Sequence, residues 1–225
     1  MRVALRIILW LGMAFAVVSA AVVFIYRFVP PPGTPLMVLR KFDDRYTGHV
    51  RQRWVPLRRI SRNVLRAVIA AEDARFCQHN GFDFEAIEKA LQEDREGGVR
   101  GASTITQQTA KNLFLWPYRD YVRKGLEAWF AVLLELLWSK DRILETYLNI
   151  AEWGDGIYGI ESAARHYYRR SARSLTRHQS AYLAAVLPNA RVFSPVSPSR
   201  ATRVRAAAAL RRMNAVALGK RRVCP

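Results

Sequence analysis

An uncharged run of 20 residues, "IILWLGMAFAVVSAAVVFIY" from Ile7 to Tyr26, constrains this chain more than any other feature. As a helix, such a run is long enough to cross a hydrocarbon core of about 30 Å. Arg2 and Arg6 precede it, Arg27 follows it, and "PPPG" from Pro30 to Gly33 ends it. A cleavable signal peptide is the rival reading, since "VSAA" offers small residues. The apolar regions of such peptides run to roughly 7–15 residues, whereas this one continues past Ala21 through Val22, Val23, Phe24 and Ile25. An uncleaved single-pass anchor is therefore expected: residues 1–6 stay inside, 7–28 span, 29–60 form a linker rich in Pro and Arg, and 61–225 fold. Long domains translocate largely regardless of charge, so the folded part is expected on the exported side.

The formal net charge of +18, from 36 basic and 18 acidic residues, calls for an anionic partner. Nucleic acid, anionic lipid headgroups and phosphorylated substrates all qualify. Aromatic residues lie mostly in apolar stretches rather than between the basic ones, which speaks against nucleic acid. Cys77 and Cys224 are far apart in sequence and have no zinc-ligand spacing. Neither a disulfide nor a structural metal is expected.

From Ser61 onward the pattern is helical, with no period-2 strand. "SRNVLRAVIAAEDARF" carries Val64, Leu65, Val68, Ile69 and Phe76 at helical spacing behind a Ser61 cap. "DFEAIEKALQEDRE" is a charged helix, and "GGVRGAS" is a loop containing Gly97, Gly98 and Gly101. "TITQQTAKNLF" opens with a T-x-x-Q capping pattern, Thr104 to Gln107, and "TRHQSAYLAAVLP" repeats it at Thr176 and Gln179. "YVRKGLEAWFAVLLELLW", "KDRILETYLNIAEW", "IESAARHYYRR" and a basic closing helix from Ser199 complete an all-α domain.

Two carboxylates stand out. Glu72 falls seven residues after Leu65 and four after Val68, so it continues an apolar stripe. It is either tied to Arg75 or His79 as a structural acid, or desolvated with a raised pKa that suits it to take a proton from a hydroxyl. Asp73 points about 100° away around the helix and reads as a loop-bonding acid. Glu127 has Arg123 and Lys124 one turn before it, which favours its ionised form. Environments that push two acids apart are a signature of divided roles, although an i,i+4 pair is also an ordinary surface ion pair. Glu135 lies among leucines as a buried structural acid.

The helix "STITQQTAKN" is unusually polar for so apolar a domain. Thr104, Gln108 and Lys111 share one face, with Ser103 and Gln107 beside it, so the helix borders solvent or a wet cleft. Glutamine amides and a lysine suit sugar groups and phosphate oxygens, and Arg119, Arg123 and Lys124 follow closely. The Walker pattern is missing, so a nucleotide fold is not indicated. "LFLWPY", Leu113 to Tyr118, suits a membrane interface or a core equally well.

These stretches resemble the peptidoglycan glycosyltransferases of family 51. "EDARFCQHNGFD" is similar to the family's first motif and "GASTITQQTAKNLFL" to its second. "RKGLEAWFAVLLE", "KDRILETYLNIAEWGDGIYGIESAA" and "YLAAVLPN" are similar to the third, fourth and fifth, in order, over roughly Asn63 to Asn189. Ala190 stands where the family often has proline, and no transpeptidase sequence follows, as in its monofunctional members. The resemblance implies a lysozyme-like helical catalytic lobe with a smaller membrane-proximal lobe, in a bacterial inner membrane with the catalytic part periplasmic. It implies polymerisation of lipid II into glycan strands with inversion at MurNAc C1. The partners implied are lipid II, the growing strand and membrane lipids; other cell-wall synthesis or division proteins are candidates, and nucleic acid is not one.

Carried over by position, Glu72 is the general base and Glu127 the second acid. Asp73, Phe76, His79, Gly81, Ser103, Thr104, Gln107, Gln108, Lys111, Asn112, Arg119, Arg123 and Lys124 contribute to substrate binding. No cofactor is required, and a divalent cation, Mg or Mn, is compatible with Glu127. Two rivals remain: a peptidoglycan-cleaving muramidase or lytic transglycosylase on the same scaffold, and a non-catalytic basic membrane adaptor.

Overall fold

The computed structural model describes residues 2–42, 50–95, 101–118 and 120–225. Gly97, Gly98 and Arg119 lie outside the described residues.

The apolar run forms α1 (Arg2–Tyr26), a largely exposed 25-residue helix with a mean hydropathy of 2.6 in its most apolar stretch. At about 1.5 Å per residue it is roughly 37 Å long, enough to span a bilayer core. It is more than a tether, because α6 (Tyr121–Leu137) lies along it. Trp129 Nε1 donates to Ser19 Oγ at 3.1 Å, and Trp138 Nε1 donates to the Val23 carbonyl at 2.7 Å. The Phe15 ring packs 6.1 Å from that of Trp129 and 6.5 Å from that of Phe130. Ser19 lies about 10 Å inside the end of α1 at helical rise. With α1 in a bilayer this edge of the domain would reach below the headgroups, and α6 carries exposed Val122, Val132 and Leu136. Both indole N–H groups have acceptors, as a water-poor setting demands.

The described parts of the segment expected as a linker, residues 29–42 and 50–60, make contacts with the rest of the fold. Thr34 Oγ1 accepts the Met37 N–H and caps α2 (Pro35–Lys41), while Arg40 pairs with Glu152 at 3.5 Å and Asp155 at 3.1 Å. β1 (Arg51–Gln52) runs parallel to β3 (Ile157–Tyr158), which pairs antiparallel with β2 (Glu152–Gly154), giving the order β1-β3-β2. Strands of two or three residues are too short for a period-2 signal, and the domain remains essentially all-α.

The rest of the domain is assembled from α3 (Arg62–Glu72), α4 (Phe84–Arg95), α5 (Ile105–Phe114), α7 (Lys140–Ile150), α8 (Ile160–Tyr168), α9 (Arg177–Val186) and α10 (Arg200–Arg212). Ser61 caps α3, and both T-x-x-Q stretches form full capping boxes on α5 and α9. α3 packs on α9 and α10, and α5 packs against α6 and α7. Phe76, Ile105, Leu134, Ile143, Leu144 and Trp153 are fully buried between them. Leu113 and Leu115 of "LFLWPY" belong to this core, while Trp116 and Tyr118 are exposed.

The cysteines correct an expectation. Cys77 and Cys224 form a disulfide with Cα atoms 5.5 Å apart, across 147 residues of sequence. The chain after α10 returns over the front of α3: Arg62 donates to the Leu218 and Gly219 carbonyls, and the Val223 N–H donates to Asp141 Oδ1 at 2.7 Å. That return carries no periodicity, so sequence spacing does not reveal it.

Candidate active site

α3 stops at Glu72 because Asp73 leaves helical geometry, at φ −160° and ψ 76°. Phe76 is thus not one turn further along the helix but packs in the turn beyond it, fully buried, with Lys140 Nζ 4.6 Å above its ring. The turn is wired to the start of α5. Asp73 Oδ2 accepts the Ile105 N–H at 2.9 Å, and Asp73 Oδ1 meets His79 Nε2 at 2.8 Å. Gly81 adopts φ +91°, where a Cβ would press on the Glu135 side chain at 3.2 Å, and its carbonyl accepts from Thr104 Oγ1 at 2.6 Å. Glu135 in turn accepts from Thr106 at 2.6 Å and pairs with Lys140 at 2.7 Å, the structural acid its leucine-rich setting suggested.

Glu72 has neither of the partners that a structural acid was expected to use. Arg75 pairs with Glu85 and lies 3.8 Å from Asp83, and His79 is held by Asp73. The Glu72 carboxylate instead accepts from Gln108 Nε2 at 2.8 Å, and Gln108 Oε1 is held by the Tyr147 hydroxyl at 3.2 Å. Burial raises the pKa of Glu72; the Gln108 hydrogen bond and Lys111 pull it back, and Asp73 adds a smaller upward push. Tyr147, fully buried beside Glu72 and Asp73, is driven well above its ordinary value, chiefly by burial.

Lys111 lines a cavity with Glu72 and interacts electrostatically with both carboxylates. Burial lowers its pKa, Glu127 and Glu72 oppose that, and Arg123 and Lys124 add to it. Glu127 is buried on α6, accepting from Arg123 Nη1 at 3.0 Å and paired with Lys124. The Nε of buried Arg123 has no hydrogen-bond partner among the described residues. An anion beside α5 and α6 would meet three cations, with Glu127 fixing two of them.

A cavity of about 690 Å³ opens at Glu72 and includes Ser103, Gln108 and Lys111. Arg205 and Arg212 line its far wall with Leu187 and Pro188. Sequence reading had placed these two arginines only in a basic closing helix, yet their seven-residue spacing puts both on one face of α10. Tyr147 was likewise not singled out. Of the other expected contacts, Gln107 turns back to accept the Thr104 N–H at 3.0 Å and is buried, so it serves the cap. Asn112 is half-buried and lines no part of this cavity.

Asp73, His79 and Asp83 bring three potential metal-ligand atoms within 4.8 Å of one another. Asp73 is already bonded by His79 and Ile105, Asp83 accepts the Ala86 N–H at 3.0 Å, and the Arg75 guanidinium stands beside Asp83. A cation would have to displace these donors, so the donor set fits a structural network better than a metal.

Residues 38–214 match the transglycosylase family. The biosynthetic peptidoglycan transglycosylase of Pseudomonas syringae pv. tomato is 51% identical over 203 residues, covering 88% of this chain and 84% of that protein. The protein of the same name from Caulobacter vibrioides is 55% identical over 179 residues, covering 79% of this chain and 77% of that protein. That from Bdellovibrio bacteriovorus is 53% identical over 190 residues, 82% and 76% respectively.

Proposed function

The chain belongs to the transglycosylase family and is a peptidoglycan glycosyltransferase of cell-wall synthesis, and on that premise we propose that its cleft joins lipid II units with Glu72 as general base. The observation that carries this reading is that Lys111 and Glu72 line the same cavity, with Lys111 also under the electrostatic influence of Glu127. It lets a proton acceptor and an anion site act on the same sugar.

Glu72 takes the proton from the 4-hydroxyl of the acceptor GlcNAc. That oxygen forms a bond to C1 of the MurNAc at the end of the growing strand. The bond from C1 to the lipid diphosphate breaks, and the electron pair leaves with undecaprenyl diphosphate. Attack opposite the leaving group converts an α-linked donor into a β-1,4 product, with oxocarbenium character at C1. Lys111 and Arg123 neutralise the diphosphate, so no protonated acid is needed on the leaving group. Glu127 holds Arg123 and Lys124 in place. Arg119 belongs by sequence to the same basic set. Ser103 and Gln108 face the sugars, and Arg205 and Arg212 are placed to meet the incoming acceptor. Phe76, Asp73, His79, Gly81, Thr104 and Gln107 shape the site from behind.

The proposed location is the periplasmic face of the inner membrane. Disulfides persist in oxidising compartments, which suits the Cys77–Cys224 pair there. The docking of α6 on α1 brings the cleft to its lipid-linked substrate.

The deciding experiment incubates the full chain and Glu72→Gln with labelled lipid II and, separately, with finished sacculi. Polymer from lipid II that disappears in the variant supports the reading. Near-wild-type polymerisation by a folded Glu72→Gln removes the base assignment, and release of soluble fragments from sacculi points to a cleaving enzyme.

A further inference from the structure

A second cavity, of about 580 Å³, shares no lining residue with the sugar cleft. It opens beside the end of α1, where Arg27 forms part of its wall. Its floor is apolar, built from Leu57, Ile60, Leu65 and Val223. Its walls carry seven basic side chains and two acidic ones, Asp141 and Glu145.

Both acids are already occupied. Asp141 Oδ1 accepts the Val223 N–H at 2.7 Å, while Glu145 accepts the Leu57 N–H at 2.8 Å and pairs with Arg142 at 2.7 Å. Arg142 is spent as well, donating to the Tyr26 and Val29 carbonyls, and Arg62 donates to the Leu218 and Gly219 carbonyls. Arg27, Arg58, Lys220, Arg221 and Arg222 remain. All five are exposed, and none has a carboxylate partner among the described residues. Five like charges around one hollow repel each other, and a bound anion reverses that cost.

The depth of the cavity identifies the anion. Arg142 ties the cavity wall to Tyr26 and Val29, the residues where the chain leaves the membrane span. The cavity therefore sits at headgroup level, with exposed Phe24 and Ile25 on α1 and exposed Phe28 just beyond its end. Basic hollows flanking a membrane helix at this level suit phosphodiester head groups. We propose that this cavity binds the head group of an anionic membrane phospholipid, with its acyl chains lying along α1, as a site separate from the one that handles substrate.

The test uses the full chain in nanodiscs of phosphatidylcholine mixed with phosphatidylglycerol, without substrate, followed by native mass spectrometry of the released protein. Wild type is expected to retain phosphatidylglycerol. Arg58→Ala with Arg222→Ala should reduce retention at least tenfold, as should the independent pair Arg27→Gln with Arg221→Gln. Arg200→Ala with Arg211→Ala removes the same charge outside the cavity and should retain lipid like wild type. Thermal melts in phosphatidylcholine alone establish which variants fold. Retention at the control's level in every folded cavity variant overturns the proposal. So does displacement of the lipid by millimolar inorganic diphosphate, which assigns the hollow to free phosphates.

Discussion

The side-chain amide of Gln108 donates to the Glu72 carboxylate at 2.8 Å, and this contact opposes the burial that raises the basicity of the proposed base. Burial raises Glu72 above its ordinary 4.5, and Gln108 is the largest influence pulling it back. A general base works in its ionised form, so kcat/KM should fall as pH falls through a value above 4.5. Gln108→Leu removes the lowering contact and should move this acid limb to higher pH. Tyr147→Phe frees the far end of the amide and should move it the same way by less. Rate profiles between about pH 4 and pH 8 decide the matter; a limb unmoved in Gln108→Leu separates the amide from the base.

The same desolvation makes a stability prediction with a definite sign. A carboxyl whose folded pKa is raised binds its proton more readily in the native state than in the unfolded chain. Stability is therefore lost as pH rises from the unfolded value through the folded one. At neutral pH Glu72 is a cost, and Glu72→Gln should melt higher while losing turnover. If the relief is about 1 kcal/mol, Tm rises by about 2–4 °C for a chain of this size. Below the unfolded pKa both states are protonated and the difference should vanish. A variant that melts lower at neutral pH would show that the carboxylate is stabilised by partners rather than strained by burial.

Lys111 should govern the opposite limb. Burial lowers its pKa from 10.5, and only its protonated form neutralises a departing diphosphate, so activity should decline below that value as pH rises. Lys111→Ala should cost about 10²–10³ in kcat, the size of a lost charge-stabilising donor. Lys111→Arg should recover part of it by keeping the charge. Steady-state lipid II polymerisation measures both, and a loss confined to KM would make Lys111 a substrate anchor only.

Much of this was legible in the chain. The helices, the Ser61, Thr104 and Thr176 caps and the inward-facing Glu72 follow from periodicity and from side chains that satisfy free N–H groups. What escaped was everything made by long-range return of the chain. Gln107 has the same amide as Gln108, but the capping box turns it inward. Arg205 and Arg212 reach the cleft only because α10 packs on α3. The stretch before Ser61 looked irregular because its order comes from partners over a hundred residues away, such as Arg40 with Glu152 and Asp155.

The Cys77–Cys224 bond ties the turn that follows the proposed base to the last residues of the chain. A cross-link closing so long a loop restricts the unfolded chain and is worth about 2–5 kcal/mol. Cys77→Ser with Cys224→Ser should lower Tm by at least about 4 °C. Calorimetry with and without reductant separates this from a side-chain effect: reductant should bring wild type down to the double variant and leave the variant unchanged. The bond also lies beside the Asp73–His79 contact that fixes the end of α3. Amides of residues 73–83 should therefore exchange faster in the variant well below its melting point. Turnover should fall with them, since Glu72 is aimed by the same turn. Unchanged exchange together with a lowered Tm would confine the disulfide to global stability and leave the turn self-supporting.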